Sequence, residues 1–241
     1  MWVRAYHCTK WLIMKCELVI FDLAGTTVKD LRDVHRMLQK ALLKEGMEIS
    51  LADANEVMGI PKPVAIEKLL RAKGFTNISP AWIDCIHVNF MKEMIRFYQE
   101  DEGVGEKEGA SEIFKTLKKY GIKIAVDTGF DRNITDALLA RLKWKERNLI
   151  DVSVTSDEVA YGRPAPDLIF EAMKRACVDK VLSVAKVGDT PSDMQEGTTA
   201  GCHWVIGITT GAFSHAALLK QPHTHLVKNL REVLPILGLT N

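Results

Sequence analysis

The stretch that decides the fold runs from Glu17 to Thr27 and reads ELVIFDLAGTT. Its first seven residues, ELVIFDL, are almost continuously apolar, which is typical of a parallel strand buried on both faces. The strand reaches Asp22, and the Gly-Thr-Thr sequence that follows predicts a turn. The first candidate for chemistry is therefore an aspartate at the end of a buried strand.

Four further apolar runs predict strands of the same kind. They cover residues 123–126, 149–154, 181–187 and 203–208. Helical patterns lie between the strands, at residues 110–120, 132–141, 166–176 and 193–200. This alternation predicts an α/β fold in which a parallel sheet carries helices on both faces.

Residues 31–100 interrupt this alternation, because they hold only amphipathic helical patterns. The charged stretch 100–109 contains glycine and is typical of a linker. We therefore expect three parts: an N-terminal extension at residues 1–13, a core formed by residues 14–30 and 101–241, and an inserted helical domain at residues 31–100.

The overall charge excludes broad classes of partner. The chain carries 32 basic and 31 acidic residues, so its net charge gives no general attraction to nucleic acid or an anionic membrane.

The apolar stretch within residues 1–13 is too short and interrupted for a signal peptide or a membrane span. Five scattered cysteines without a CxxC pair favour reduced thiols in a cytoplasmic protein. The expected partner is a small molecule.

Polar signals follow four of the predicted strands, at the edge where an open parallel sheet binds its ligands. They are Asp22, Thr128, Arg163, and the pair Asp189 and Asp193. A single aspartate at a strand end is commonly a helix cap or turn residue, but four signals at equivalent positions are hard to explain by capping.

These side chains suit phosphoryl transfer. The carboxylates are oxygen ligands for a divalent cation such as magnesium. Thr128 can donate a hydroxyl hydrogen bond to a phosphoryl oxygen, and Arg163 supplies a permanent positive charge. Gly25 and Gly129 would let backbone amides approach the phosphate closely.

Four short motifs resemble, in order, those of the haloacid dehalogenase superfamily: DLAGTT (22–27), DTGF (127–130), GRPAP (162–166) and GDTPSD (188–193). The resemblance implies a Rossmann-like core with an inserted helical cap. It implies that Asp22 is the nucleophile and forms an aspartyl-phosphate. It also implies a magnesium ion held by Asp22, the backbone carbonyl of Ala24 and Asp189, with Asp193 nearby.

Ala24 narrows the reaction. Most phosphatases of this superfamily carry a second aspartate at this position, which protonates the departing alkoxide and activates water. An alanine methyl can do neither. The DxAGTT pattern, Arg163 and the stretch TGFDR (128–132) are similar to phosphonoacetaldehyde hydrolases and their phosphonatase-like relatives, which cleave a carbon–phosphorus bond.

Carbon–phosphorus cleavage leaves a carbanion that needs an electron sink, and a lysine Schiff base with an aldehyde provides one. The family draws that lysine from a Met-Gly-x-x-Lys segment of the cap. This sequence has Met58-Gly59-Ile60-Pro61-Lys62, so the resemblance implies Lys62, with Met58 and Gly59 shaping the pocket. Taken alone, the segment also suits a solvated lysine at a helix start, because Pro63 suits a first helical position.

The match to the phosphonoacetaldehyde hydrolases has departures. The family usually has a histidine three residues after the lysine, where this chain has Ala65, and a tryptophan where it has Leu23. His35 and His87, both in the helical insert, are candidates to replace that histidine.

Two other functions stay open at this level. One is a phosphatase for a small phosphate monoester, such as phosphoglycolate or a sugar phosphate. The other is a binding or regulatory protein on a former catalytic scaffold, against which the intact set of strand-end residues speaks.

One helical pattern also bears on assembly. An apolar stripe at helical spacing predicts the interior of the cap, with a homodimer contact as the alternative: Trp82, Ile83, Ile86, Phe90, Met91 and Met94.

Overall fold

A computed structural model of the chain describes residues 15–240. The predicted N-terminal extension lies outside these residues. At the centre is a parallel sheet with the strand order β3-β2-β1-β4-β5-β6. Its strands are β1 (Leu18–Asp22), β2 (Lys123–Thr128), β3 (Val152–Thr155), β4 (Val184–Gly188), β5 (Trp204–Ile208) and β6 (His225–Val227). The predicted parallel α/β fold is thereby confirmed.

The chain between β1 and the next core helix is helical, as the sequence predicts. Its helices are α1 (Asp33–Leu43), α2 (Leu51–Asn55), α3 (Lys62–Ala72) and α4 (Pro80–Glu100). Local signals define their starts: Ser50 forms a capping box with Asp53, and Ser79 caps α4 just before Pro80. We call these four helices the helical insert.

Helices cover both faces of the sheet. They are α5 (Ala110–Lys119), α6 (Arg132–Leu142), α7 (Asp167–Ala176), α8 (Pro191–Ala200), α9 (His215–Leu218) and α10 (Val233–Ile236). Strand β1 is buried along its whole length. Leu18 and Ile20 belong to the apolar cluster under α7, while Val19 and Phe21 belong to the larger cluster on the opposite face. Because β1 packs on both faces, the position of Asp22 at its end is held by the surrounding core.

The stripe on α4 packs inside the chain. Ile86, Phe90 and Met94 are fully buried. The remaining three residues, Trp82, Ile83 and Met91, are half-buried and pack against the same apolar cluster. Their packing agrees with the predicted interior of the helical insert.

The two connections between the insert and the sheet run side by side. Val28 and Glu106 form an antiparallel bridge. The backbone N–H of Lys29 donates to the carbonyl of Gly105 at 3.0 Å, and that of Lys107 donates to the carbonyl of Thr27 at 2.8 Å. Both chain connections between the insert and the core thus lie at one place, directly after the turn that follows Asp22, while α4 also packs against α6 of the core.

Some predicted boundaries differ from the structure. Strand β6 was not predicted, because three residues are too few to produce a periodic pattern. The strand predicted at 149–154 begins only at Val152. The strand predicted at 181–187 begins only at Val184, because Val181–Ser183 form a short 3-10 turn. No helix within residues 15–240 is long and apolar enough to cross a membrane.

Candidate active site

The strand-end residues meet at one edge of the sheet because the strands are parallel and in register. Asp22 of β1 lies opposite Asp127 of β2. A partly open pocket lies at this edge. It is lined by Asp22, Ala24, Asp30, Val34, Met58, Gly59, Lys62, Thr128, Gly129, Phe130, Arg163, Thr190 and Ala212. The pocket therefore joins the core motifs to the segment that carries Lys62.

Asp22 is almost completely buried, with 6% of its surface exposed. Its Oδ1 accepts a hydrogen bond from Nη1 of Arg163 at 2.7 Å. Burial raises the pKa of Asp22 to about 6, and the charge of Arg163 opposes this rise. The arginine therefore favours the ionised carboxylate that a nucleophile requires.

A second carboxylate lies beside Asp22. Asp189 is fully buried, and burial, followed by the charge of Asp22, raises its pKa well above the usual range. Its Oδ1 accepts from the hydroxyl of Thr26 at 3.1 Å, and its Oδ2 accepts from the backbone N–H of Ala212 at 2.5 Å. The carboxylates of Asp22 and Asp189 are thus fixed close together. Among the residues that the structure describes, no lysine or arginine forms an ion pair with Asp189.

This arrangement fits a divalent cation. One carboxylate oxygen each from Asp22, Asp189 and Asp193 lie within 4.8 Å of one another, and all three side chains are buried. Such a set offers only oxygen ligands, which hard cations prefer. Their mutual repulsion is the electrostatic condition that a bound divalent cation relieves.

Asp193 has more protein partners than Asp189. Its Oδ1 lies 3.0 Å from Nη1 of Arg163, and its Oδ2 accepts from the hydroxyl of Thr190 at 2.6 Å. Although burial acts to raise its pKa, the charges of Arg163 and Lys186 lower it. Asp193 is therefore an ionised carboxylate that faces both Arg163 and the carboxylates of Asp22 and Asp189.

Thr128 and the nearby glycines have distinct surroundings. The hydroxyl oxygen of Thr128 accepts from the backbone N–H of Phe130 at 3.2 Å, which leaves the hydroxyl proton to donate into the pocket. A side chain at Gly129 would meet the carbonyl oxygen of Ile60 at 2.9 Å. Gly25 does not line the pocket. It has φ +90°, and a Cβ there would overlap the carboxylate of Asp189.

Lys62 is the first residue of α3 and is buried, with 2% of its surface exposed. Its Nζ lies 5.4 Å from the ring centroid of Phe130 and 5.9 Å from that of Phe90. It donates to the carbonyl of Ile60 at 3.3 Å, and no carboxylate of the described residues forms an ion pair with it. Burial lowers the pKa of Lys62 to about 8. The ammonium group is therefore poorly solvated, unlike that of an ordinary surface lysine.

The two candidate histidines do not line this pocket. The Nε2 of His35 lies 3.0 Å from the side-chain oxygen of Asn55. The Nε2 of His87 lies 3.0 Å from Oδ2 of Asp131, at the start of α6. Ala65, the position at which the family usually has its histidine, is completely buried.

Sequence reasoning missed three buried charged residues behind the pocket: Asp127, Lys186 and Glu196. For two of them the sequence offered a signal of a buried charge. Lys186 is a charged residue within the apolar run VAKVG of β4, and Glu196 lies one helical turn after Asp193 on α8. Asp127 carried less signal, because it directly precedes Thr128 at a strand end.

Comparison with known proteins agrees with the fold and the motifs. A sequence profile of the haloacid dehalogenase-like hydrolases matches residues 19–206. A phosphonoacetaldehyde hydrolase from Bacteroides fragilis is 31% identical over 220 residues, which cover 88% of this chain and 82% of the relative.

Solved structures share the fold at lower identity. A hydrolase from Pseudomonas syringae superposes with a TM-score of 0.82 at 22% identity, covering 92% of this chain and 98% of the other. A phosphonoacetaldehyde hydrolase-like protein from Oleispira antarctica gives 0.78, also at 22% identity, covering 92% of this chain and 91% of the other. With a family match that spans most of its length, this chain belongs to the haloacid dehalogenase-like hydrolases.

Proposed function

We propose that this hydrolase cleaves the carbon–phosphorus bond of a small aldehyde-bearing phosphonate of the phosphonoacetaldehyde type. The observation that carries the proposal is the placement of Lys62. A buried amine whose pKa is lowered to about 8 shares one pocket with the carboxylate of Asp22. Ala24, which also lines the pocket, offers no acid for an alkoxide leaving group.

In the proposed first step, the free amine of Lys62 attacks the aldehyde carbon and forms an imine, with loss of water. A carboxylate oxygen of Asp22 then attacks phosphorus. The carbon–phosphorus bond breaks, and its electron pair moves into the protonated imine to give a neutral enamine. A leaving group of this kind takes its proton on carbon, so the missing acid at Ala24 is no obstacle.

In the second half of the reaction, the enamine is protonated and hydrolysed, which frees acetaldehyde and Lys62. Water attacks the aspartyl-phosphate and releases phosphate. The hydroxyl of Thr128 and the guanidinium of Arg163 line the pocket and are the proposed partners of the phosphoryl oxygens. The segment Met58–Gly59 forms part of the pocket wall around the aldehyde.

We propose magnesium as the cation, bound by the carboxylates of Asp22 and Asp189 and the backbone carbonyl of Ala24, with Asp193 close by. When bound, it would offset the repulsion between the carboxylate and a phosphoryl dianion. We further propose that residues 31–100 act as a cap over a core formed by residues 14–30 and 101–241. The narrow connection at Val28 and Glu106 would then be the hinge.

The test is chemical trapping of the imine. Incubation with phosphonoacetaldehyde and borohydride should attach the reduced adduct to Lys62, as located by peptide mass spectrometry. Lys62→Ala should remove both the adduct and phosphate release from the phosphonate. Lys68→Ala is the matched control, because Lys68 is an exposed lysine on the same helix. An intact phosphonate activity in Lys62→Ala, with no adduct in the wild type, would refute the proposal.

A phosphate monoester is the second candidate substrate, and Ala65 is the observation that favours it, because the phosphonoacetaldehyde hydrolases usually have a histidine there. In that case Lys62→Ala should weaken substrate binding without abolishing turnover, while Asp22→Asn should still abolish it. A parallel measurement of phosphate release from phosphonoacetaldehyde and from a panel of phosphate esters separates the two candidates.

A further inference from the structure

A group of charged side chains, fully shielded from solvent, lies directly behind Asp22. We call it the buried charge cluster, and its members come from β2, the loop after β3, β4 and α8: Asp127, Arg163, Lys186, Asp193 and Glu196. Burial of charges is costly unless each is paired and hydrogen-bonded. The contacts within the cluster therefore show what keeps it in place.

Arg163 is held on three sides. Its Nη2 donates to the backbone carbonyl of Asp127 at 2.9 Å and also to the carboxylate of that residue. Its Nε donates to Oε2 of Glu196 at 3.1 Å. A planar guanidinium fixed at Nε and Nη2 has its orientation determined. The remaining nitrogen, Nη1, then points to Asp22 and donates to its Oδ1 at 2.7 Å, while it also lies 3.0 Å from Oδ1 of Asp193.

Lys186 joins the two carboxylates that fix the arginine. Its Nζ donates to the carboxylate of Asp127 and lies 2.9 Å from Oε2 of Glu196. It also lies 3.3 Å from Oδ1 of Asp193. Burial, followed by the charge of Asp127, raises the pKa of Glu196 to about 8, and the charges of Lys186 and Arg163 oppose this rise. Without the Lys186 ammonium group, Arg163 would be the one cation among the carboxyl groups of the cluster and of Asp22. Competition among these carboxylates would draw the guanidinium away from Asp22.

The packing around Lys186 supports this arrangement. A side chain on Gly197 would place its Cβ 2.9 Å from Cβ of Lys186. Glycine at this position therefore lets α8 approach β4 closely enough for Glu196 to contact both Lys186 and Arg163. Neither Lys186 nor Glu196 lines the pocket. Glu196 contacts Arg163, which does line it, whereas Lys186 contacts Asp193 and the two carboxyl groups that hold Arg163.

We infer that Glu196 and Lys186 are positioning residues, which hold the guanidinium of Arg163 with Nη1 directed at the attacking carboxylate of Asp22. The inference rests on the proposed function only in that Asp22 accepts the phosphoryl group. It is independent of the imine on Lys62. The expected consequence is a loss of phosphoryl transfer when the acceptor for Nε is removed, even though the pocket itself is unchanged.

The test compares Glu196→Met with Glu196→Gln. Methionine has a similar length but offers Nε no comparable acceptor, whereas glutamine retains an amide oxygen and is the matched control. Acetyl phosphate is the substrate, because its acetate leaving group needs neither a proton nor Lys62. At saturating magnesium, Glu196→Met should lower kcat by about 10- to 100-fold with little change in KM, the scale expected for a misplaced catalytic group. Glu196→Gln should stay close to the wild type.

Crystal structures of both variants without added metal give the second measurement. The hydrogen bond from Nη1 of Arg163 to Asp22 should be lost in Glu196→Met and kept in Glu196→Gln. The inference is overturned if Glu196→Met keeps this hydrogen bond, or if its kcat equals that of Glu196→Gln. If the wild type does not hydrolyse acetyl phosphate, the crystal structures alone decide the positioning.

Lys186→Met provides an independent variant, and it should lower kcat in the same way, while Lys186→Arg should restore part of the rate. Lys174→Met, which changes an exposed lysine paired with Glu171, controls for general effects of removing a charge. Failure of the imine test with an intact effect of Glu196→Met would overturn the phosphonate substrate and leave the positioning role standing.

Discussion

Nη1 of Arg163 lies 2.7 Å from Oδ1 of Asp22, and the side chain of this arginine is completely shielded from solvent. Its guanidinium also contacts the backbone and carboxylate of Asp127 and the carboxylate of Glu196. Most of its donors are thus used within the protein. Arg163 therefore holds its position mainly through contacts within the protein, one of which is directed at Asp22.

The first prediction concerns this contact. Arg163→Lys should lower kcat for phosphate release by about 100-fold, because an ammonium group cannot make the directed contacts of a guanidinium fork. Steady-state phosphate release is the measurement. Arg175→Lys, at a partly exposed arginine paired with Glu171, is the control and should leave kcat unchanged. A variant Arg163→Lys with wild-type kcat would show that the fork geometry is not needed.

The second prediction concerns the leaving group. Ala24→Asp should raise the hydrolysis of an alkyl phosphate by about 100-fold, the usual contribution of a general acid, because it supplies a proton for the departing alkoxide. The same variant should not accelerate hydrolysis of acetyl phosphate, whose leaving group needs no proton. Ala24→Asn is the control of equal size. Equal rates in the two variants would mean that the absence of an acid does not limit ester hydrolysis.

The third prediction concerns the proposed metal ligand Asp189. A methyl group at Gly211 would overlap the carboxylate of Asp189. Gly211→Ala should therefore displace this carboxylate and raise the magnesium concentration for half-maximal activity by about tenfold or more, as expected when the support of a metal ligand is lost. Calorimetric titration of the protein with magnesium gives a measurement that does not depend on turnover.

Gly105→Ala is the control for that experiment, because a Cβ at Gly105 has no neighbour within 4 Å. It should leave magnesium binding unchanged. Equal magnesium affinity of Gly211→Ala and the wild type would argue against Asp189 as a ligand.

The fourth prediction concerns pH. Burial lowers the pKa of Lys62 to about 8, and only the free amine can attack an aldehyde. Because the folded pKa is depressed, the free amine accumulates as pH rises towards 8. The rate of borohydride-trapped adduct formation should rise by about tenfold per pH unit below that value and level off above it.

The pH profile also has a clear contrary outcome. A solvated lysine would show a rate that continues to rise to about pH 10. Hydrolysis of acetyl phosphate by the same protein is the internal control, because it does not use the amine and should not follow this titration.

Much of the fold followed from the sequence because its signals are local. The buried run at β1, the apolar runs of the other long strands and the amphipathic patterns of the insert each report burial of a nearby face. A strand as short as β6 gave no such signal. The residues at strand ends could be grouped because parallel strands deliver their carboxyl ends to one edge of the sheet.

The sequence by itself determined that Asp22, Thr128, Arg163 and Asp189 belong to one edge, and that Ala24 offers no carboxylic acid two residues after Asp22. It could not determine the environment of Lys62, which suited both a surface lysine and a pocket amine. Tertiary structure decided that question, because the rings of Phe90 on α4 and Phe130 after β2 close over the amine and exclude water.

The buried charge cluster likewise required the tertiary structure. Lys186 and Glu196 are separate in sequence from Arg163, and they meet it only when β4 and α8 pack beside the loop that follows β3. Sequence patterns report which residues are apolar along one element, whereas the partners of a buried charge depend on how several elements pack together. That packing, and not any motif, sets the direction in which Arg163 meets Asp22.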